Sequence, residues 1–111
     1  MYPNEYICLM VLIKKTDEFD QWFRKLKDRK AKAKILVRIQ RMEEDGNFGD
    51  CQPVGEGISE LRINYAAGYR VYVKELGEYL ILLLIGGDKS TQRKDIQKAK
   101  LLRAEYQKRK K

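Results

Sequence analysis

Leu61-Arg62-Ile63-Asn64-Tyr65-Ala66-Ala67-Gly68-Tyr69-Arg70-Val71-Tyr72-Val73 is the stretch that decides the fold. Apolar and polar residues alternate on both sides of a small link, the pattern of an antiparallel hairpin with one buried face. Leu61, Ile63 and Tyr65 make one row against Glu60, Arg62 and Asn64, and Tyr69, Val71 and Val73 make another against Arg70, Tyr72 and Lys74. Gly68 can take positive φ in the three-residue link Ala66-Ala67-Gly68. Pairing Tyr65 with Tyr69 sets Arg62 opposite Tyr72 and Asn64 opposite Arg70. Arg62 and Arg70 are then diagonal neighbours roughly 7 Å apart on one face. Two like charges that close repel unless an anion sits between them. Guanidinium groups suit the geometry of a phosphate and the charge of a phosphoryl transition state. Ordinary surface pairing with Glu60, Glu75 or Glu78 would account for the same arginines.

After this hairpin, Tyr79 to Ile85 is a nearly continuous apolar run, expected to be a central strand covered by helices on one face. Gly86-Gly87 is expected to break it. Gly86-Gly87-Asp88-Lys89-Ser90-Thr91-Gln92 then leads into a helix from about Thr91, with Ile96, Ala99, Leu102 and Tyr106 on one side. Amides at a helix start favour anions, and Lys89 adds a mobile positive charge. The spacing is not that of a Walker loop, and a sharp turn with a Ser or Thr cap reads the same residues.

Before the hairpin, Phe48 to Gly57 reads as a crossover with a short edge segment near Gln52 to Val54. A helix over about Lys30 to Glu44 buries Ala31, Ile35, Ile39 and Met42 and leaves Lys32, Lys34, Arg38 and Arg41 mostly outside. It follows another in which Phe19, Trp22, Phe23 and Leu26 repeat at helical spacing, capped by Thr16 or Asp17. Tyr6 to Ile13 reads as a buried strand. The fold class is therefore α+β: an N-terminal strand and helix pair, a mostly antiparallel three- to four-stranded sheet, and a C-terminal helix. One domain over 1–111 is expected, with a basic frayed tail at 107–111 and one sheet face left partly open.

The chain has 111 residues and a net charge of +8. Residues 1–88 hold 14 basic and 14 acidic side chains, whereas 89–111 hold 10 basic and 2 acidic ones, so the excess is local. Localised positive charge attracts polyanions: RNA, DNA or an acidic protein. Neither a membrane span nor a secretory signal is readable, which gives a cytoplasmic expectation and free thiols at Cys8 and Cys51. With no histidine in the chain, acid–base work falls to Tyr, Lys, Asp or Glu. Tyr72 shares a face with the arginines, where an exposed ring can stack on a base. Asp88 is the best-placed carboxylate. One carboxylate is thin support for a metal, so no cofactor is expected and the chemistry is read as metal-independent.

Three ordered motifs carry a resemblance: Gly49 to Ile63, Gly68-Tyr69-Arg70-Val71-Tyr72, and Gly86 to Gln92. Together with Thr16 to Phe19 and Trp22 to Leu26, they resemble addiction-module killer proteins of the RelE/ParE superfamily, in the HigB-like branch. The resemblance implies the toxin of a type II toxin–antitoxin pair: a ribosome-dependent mRNA endonuclease (mRNA interferase) that blocks translation. Cleavage would proceed by attack of the ribose 2′-hydroxyl on the adjacent phosphate. It implies catalytic roles for Arg62, Arg70 and Lys89 at the phosphate, and substrate-binding roles for Tyr72, Asp88, Gln92 and Asn64. The implied partners are the ribosome, mRNA and a cognate antitoxin with a helix-turn-helix DNA-binding domain, with no membrane and weak self-association. The superfamily also contains ParE-like gyrase inhibitors that are not enzymes, and an RNA-binding module without turnover is a third reading.

Overall fold

The computed structural model describes residues 11–109. The chain runs β1 (Leu12–Lys15), α1 (Asp17–Lys25), α2 (Arg29–Asp45), β2 (Cys51–Gly55), β3 (Ile58–Ile63), β4 (Tyr69–Gly77), β5 (Leu80–Gly87), a single 3₁₀ turn (Lys89–Thr91) and α3 (Gln92–Arg109). The five strands form one sheet in the order β1-β5-β4-β3-β2, with β1 parallel to β5 and every other pair antiparallel. This is the α+β class expected from the sequence. The N-terminal strand differs in place: β1 is an edge strand with Leu12 exposed, and residues 6–10 of the expected strand lie outside the described residues.

Local chemistry sets the helix ends. The Thr16 hydroxyl accepts from the Phe19 amide at 2.9 Å and donates to the Leu84 carbonyl at 2.6 Å, so one side chain caps α1 and pins it to β5. Asp28 caps α2 through the Ala31 amide. Gly46 ends α2 in the left-handed region at φ 65°, where a side chain would be strained. No helix among the described residues is long and apolar enough to cross a membrane.

Two cores lie on opposite sides of the sheet. Phe19, Ile35, Met42, Leu61, Ile63, Val71, Val73, Ile81 and Leu83 pack on the α1–α2 side. Ile58, Tyr72, Leu82, Leu84, Ala99 and Leu102 pack on the α3 side. The expected open sheet face is therefore covered, because α3 brings Ala99 and Leu102 onto it. Tyr72 is 0% exposed, a core residue rather than a base-stacking platform.

The β3–β4 register also differs from expectation. Ile63 pairs with Tyr69, Arg62 with Arg70 and Glu60 with Tyr72, a shift of two residues. The link is longer than three residues: Tyr65 N bonds Ile63 O, Gly68 N bonds Tyr65 O, and Ala66 stands at φ 51°. Those turns use up Asn64 and Tyr65, so Arg62 and Arg70 become direct cross-strand partners.

Gly86 and Gly87 do not break β5 but end it from within. Tyr72 pairs with Ile85 and Val73 with Leu83, leaving Leu84 as an extra residue, a β-bulge. The bulge resets the alternation. Leu84 and Ile85 both pack on the α3 side, Gly86 turns toward α1, and Gly87 turns toward α3. A methyl on Gly86 would collide with the Trp22 ring, and one on Gly87 would collide with the Asp95 carboxylate. Gly86→Ala is thus expected to destabilise the protein by about 1–3 kcal/mol and to change the emission of Trp22, the chain's single tryptophan. Denaturant titration followed by fluorescence checks this, and unchanged stability and emission would refute the contact.

Candidate functional site

Arg62 and Arg70 face each other across β3 and β4. Opposed like charges in a sheet cost stability unless neutralised. Arg62 is neutralised, though not by the glutamates expected: its guanidinium lies 3.2 Å from Asp50, and Asn64 donates to the other oxygen of the same carboxylate. Among the described residues, nothing pairs with the Arg70 guanidinium, and its Nε is buried without a partner. Opposite Arg70 on its other side is Gly87, which has no side chain to fill the space.

Lys89 reaches the same corner through the hairpin link. Its amide donates to the Ala67 carbonyl at 3.3 Å, and Gly68 packs against its side chain. Asn64, Tyr65, Ala66, Ala67, Gly68, Arg70 and Lys89 line one open pocket of about 380 Å³. Lys89 is exposed and forms no ion pair among the described residues. Arg62, Asn64, Arg70 and Lys89 are therefore gathered as the sequence suggested. The pocket offers a phosphate-sized anion one guanidinium without a counter-ion, one mobile ammonium and an amide side chain.

The other three expected residues are occupied elsewhere. The Asp88 carboxylate accepts from the Ser90 amide at 2.8 Å and from the Ser90 hydroxyl, capping the 3₁₀ turn. The Gln92 amide points inward and donates to Glu60 at 2.7 Å. The Tyr72 hydroxyl also donates to Glu60, at 2.8 Å. Burial first, and the Glu60 carboxylate second, push that hydroxyl far above its ordinary pKa. It stays protonated and cannot serve as a base.

Three residues were not singled out in the sequence. Glu60 is 2% exposed and lies two residues along the same sheet face from the arginine pair. Asp50 precedes β2, and only the β2–β3 register, Cys51 opposite Leu61, puts it beside Arg62. Arg38 was expected in solvent. It instead donates to the carbonyls of Arg62, Phe48 and Asp50, fastening the crossover and the β3 end to α2. Burial lowers its pKa, and Asp50 opposes that. The Gly55-Glu56-Gly57 turn could have supplied the β2–β3 register. Cys51 carries a free thiol, and Cys8 lies outside the described residues. No group of three or more Cys, Asp or Glu among the described residues is placed to hold a metal ion.

The family described as "Phage derived protein Gp49-like (DUF891)" matches residues 21–109. An uncharacterized protein of Haemophilus influenzae is 55% identical over 97 residues, covering 87% of this chain and 97% of that protein. Among solved structures, a double arginine-to-alanine variant of the E. coli toxin RelE in its free state superposes with a TM-score of 0.67 at 11% identity, covering 85% of this chain and 97% of that one. The intact E. coli RelBE toxin–antitoxin complex matches with a TM-score of 0.60 at 12% identity, over 70% of this chain and 95% of that one. These likenesses establish a RelE-like fold.

Asp50 supplies a prediction in pH. The hydrogen bond from Asn64 is the main cause that holds its pKa below the ordinary carboxylate value; burial opposes it, and Arg62 and Arg38 add to the lowering. A depressed folded pKa contributes stability above the unfolded pKa and loses it as pH falls through the folded value. The stability gap between the unsubstituted protein and Asp50→Asn is thus expected to be widest at neutral pH. It should close as pH falls below the ordinary carboxylate range. Urea titrations across a pH series test this, and a gap that widens toward acid would contradict it.

Proposed function

The chain belongs to the phage-derived Gp49-like family, and from that membership, its RelE-like fold and the Arg62–Arg70–Lys89 corner we propose that it is the toxin of a type II toxin–antitoxin pair, an endoribonuclease acting on ribosome-bound mRNA. In this reading it is a HigB-like killer, which the motifs around Arg62, Arg70 and Lys89 support. The observation that carries the reading is Arg70. It is a sheet-borne guanidinium with no counter-ion among the described residues, set between Arg62 and Gly87 and beside Lys89 in an open pocket.

In this reading a scissile phosphate seats between Arg70 and Lys89. The ribose 2′-oxygen attacks phosphorus and the bond to the 5′-oxygen breaks, giving a 2′,3′-cyclic phosphate and a 5′-hydroxyl. The 2′-proton leaves through the solvent-open side, and the Lys89 ammonium supplies a proton to the 5′-oxygen. Arg70 stabilises charge on the equatorial oxygens, and Arg62, held by Asp50, adds to the field without leaving its place. Asn64 lies at the pocket edge, where it contacts the flanking nucleotide. The neutralising partner is an antitoxin with a helix-turn-helix DNA-binding domain, and the protein acts in the cytoplasm.

Brief induction of the untagged protein in bacteria, followed by transcript-end mapping, tests the proposal. New ends inside translated codons are expected, disappearing when translation is blocked and falling by about 10²-fold or more in Arg70→Ala. An unchanged map with growth arrest would replace the nuclease reading with gyrase inhibition. RNA bound but uncut would replace it with a binding module.

A further inference from the structure

We infer that Glu60, Tyr72 and Gln92 form a positioning clamp that fixes the Lys89 turn relative to Arg70; this rests on the reading of Arg70 and Lys89 as the phosphate-handling pair. Glu60 is 2% exposed and forms no ion pair among the described residues. A buried carboxylate is costly unless donors surround it. One of its oxygens, Oε2, accepts from both the Tyr72 hydroxyl at 2.8 Å and the Gln92 amide at 2.7 Å. Glu60 is on β3, Tyr72 is its direct partner on β4, and Gln92 is the first residue of α3. A single atom therefore ties the two arginine-bearing strands to the helix start.

The position of the clamp is what gives it a role in the reaction. The Glu60–Tyr72 pair lies two residues along the same sheet face from the Arg62–Arg70 pair. Gln92 directly follows the 3₁₀ turn that carries Lys89. The far end of that turn is held by Asp88 and by the Lys89 amide on Ala67. One end of the Lys89 segment is thus anchored to the link that joins the two arginine-bearing strands, and the other end to the strands themselves. Apolar side chains at 60, 72 and 92 would fill the same space at lower desolvation cost. Hydrogen bonds add a fixed distance and direction, which apolar contact does not. Displacement of a catalytic group by about 1 Å can cost about 10²-fold in rate.

A donor–acceptor swap tests the clamp. Gln92→Glu sets two carboxylates against each other. Adding Glu60→Gln returns a donor, since the new amide has two protons, one for the carboxylate on α3 and one for the Tyr72 oxygen. Gln92→Leu removes the bond without adding charge and serves where Gln92→Glu fails to fold. The readouts are kcat and KM for mRNA cleavage in a translating extract, amide exchange over residues 89–92, and Tm. The single variants are expected to lose about tenfold or more in kcat at little-changed KM, with faster exchange in the turn. The double variant is expected to recover both. An unchanged kcat in Gln92→Leu would overturn the clamp, as would a double variant whose Tm recovers while its kcat does not. If the unsubstituted protein cleaves no RNA, the nuclease reading falls and exchange alone decides. Protection lost in the single variant and regained in the double supports the clamp, and equal protection in all three refutes it.

Discussion

Everything at the candidate site depends on how β5 ends. The bulge at Leu84 switches the alternation of the strand, so that Gly86 presents no side chain to α1 and Gly87 presents none to α3. Two layers can then approach the same strand end from opposite sides, Trp22 on one and Asp95 with Thr91 on the other. Thr91 donates to Asp95 at that close approach, locking the first turn of α3 against Gly87. The chain has only Asp88 between the strand and the 3₁₀ turn, so locking α3 there also decides where Lys89 stands. Ordinary alternation, with a side chain at either glycine, would push one layer away and open the corner.

That corner combines charges in a way a stability argument alone would not favour. Two arginines face each other, and only Arg62 has a counter-ion, Asp50, among the described residues. The buried carboxylate nearby, Glu60, is spent on Tyr72 and Gln92 rather than on Arg70. Asp95 is likewise engaged by Thr91, and burial raises its pKa. Neither carboxylate is therefore paired with Arg70, whose guanidinium has no counter-ion among the described residues. Sites that bind charge pay a local cost of this kind, and the two cores on either side of the sheet carry it.

Much of this was legible from the residues. The alternation around Gly68 gave the hairpin, the helical spacing of Phe19, Trp22, Phe23 and Leu26 gave α1, and Thr16 gave its cap. Arg62, Asn64, Arg70 and Lys89 lie near one another even though the expected register was off by two. The shift is even, so every side chain kept its face. What escaped was what depends on the third layer. Alternation marks Glu60 and Tyr72 as polar-side residues, but it does not say that a helix more than twenty residues downstream will cover that side. Gly86-Gly87 looked like a break because a glycine pair is usually one. Here the glycines answer close contacts from α1 and α3 that no local pattern contains. Arg38 looked solvated for a related reason: its acceptors are backbone carbonyls, which leave no mark in a sequence.

The distribution of charge can now be separated from the chemistry. The whole positive excess follows Asp88, from Lys89 through α3 to the tail, whereas two of the three cations at the corner come from the sheet. The exposed cations of α3, among them Arg93, Lys94 and Lys98, lie outside the pocket. Their field reaches about a Debye length, about 8 Å at physiological salt, and so draws a polyanion toward that side of the protein without selecting how it sits. In the proposed reading, selection falls to Arg70 and Lys89, held through hydrogen bonds that salt screens far less. Lys89 stands where the two systems meet: it is the first cation of the basic segment and the last residue placed by the hairpin. A protein built this way separates encounter from alignment, with the first carried by an exposed helix and the second by a sheet corner.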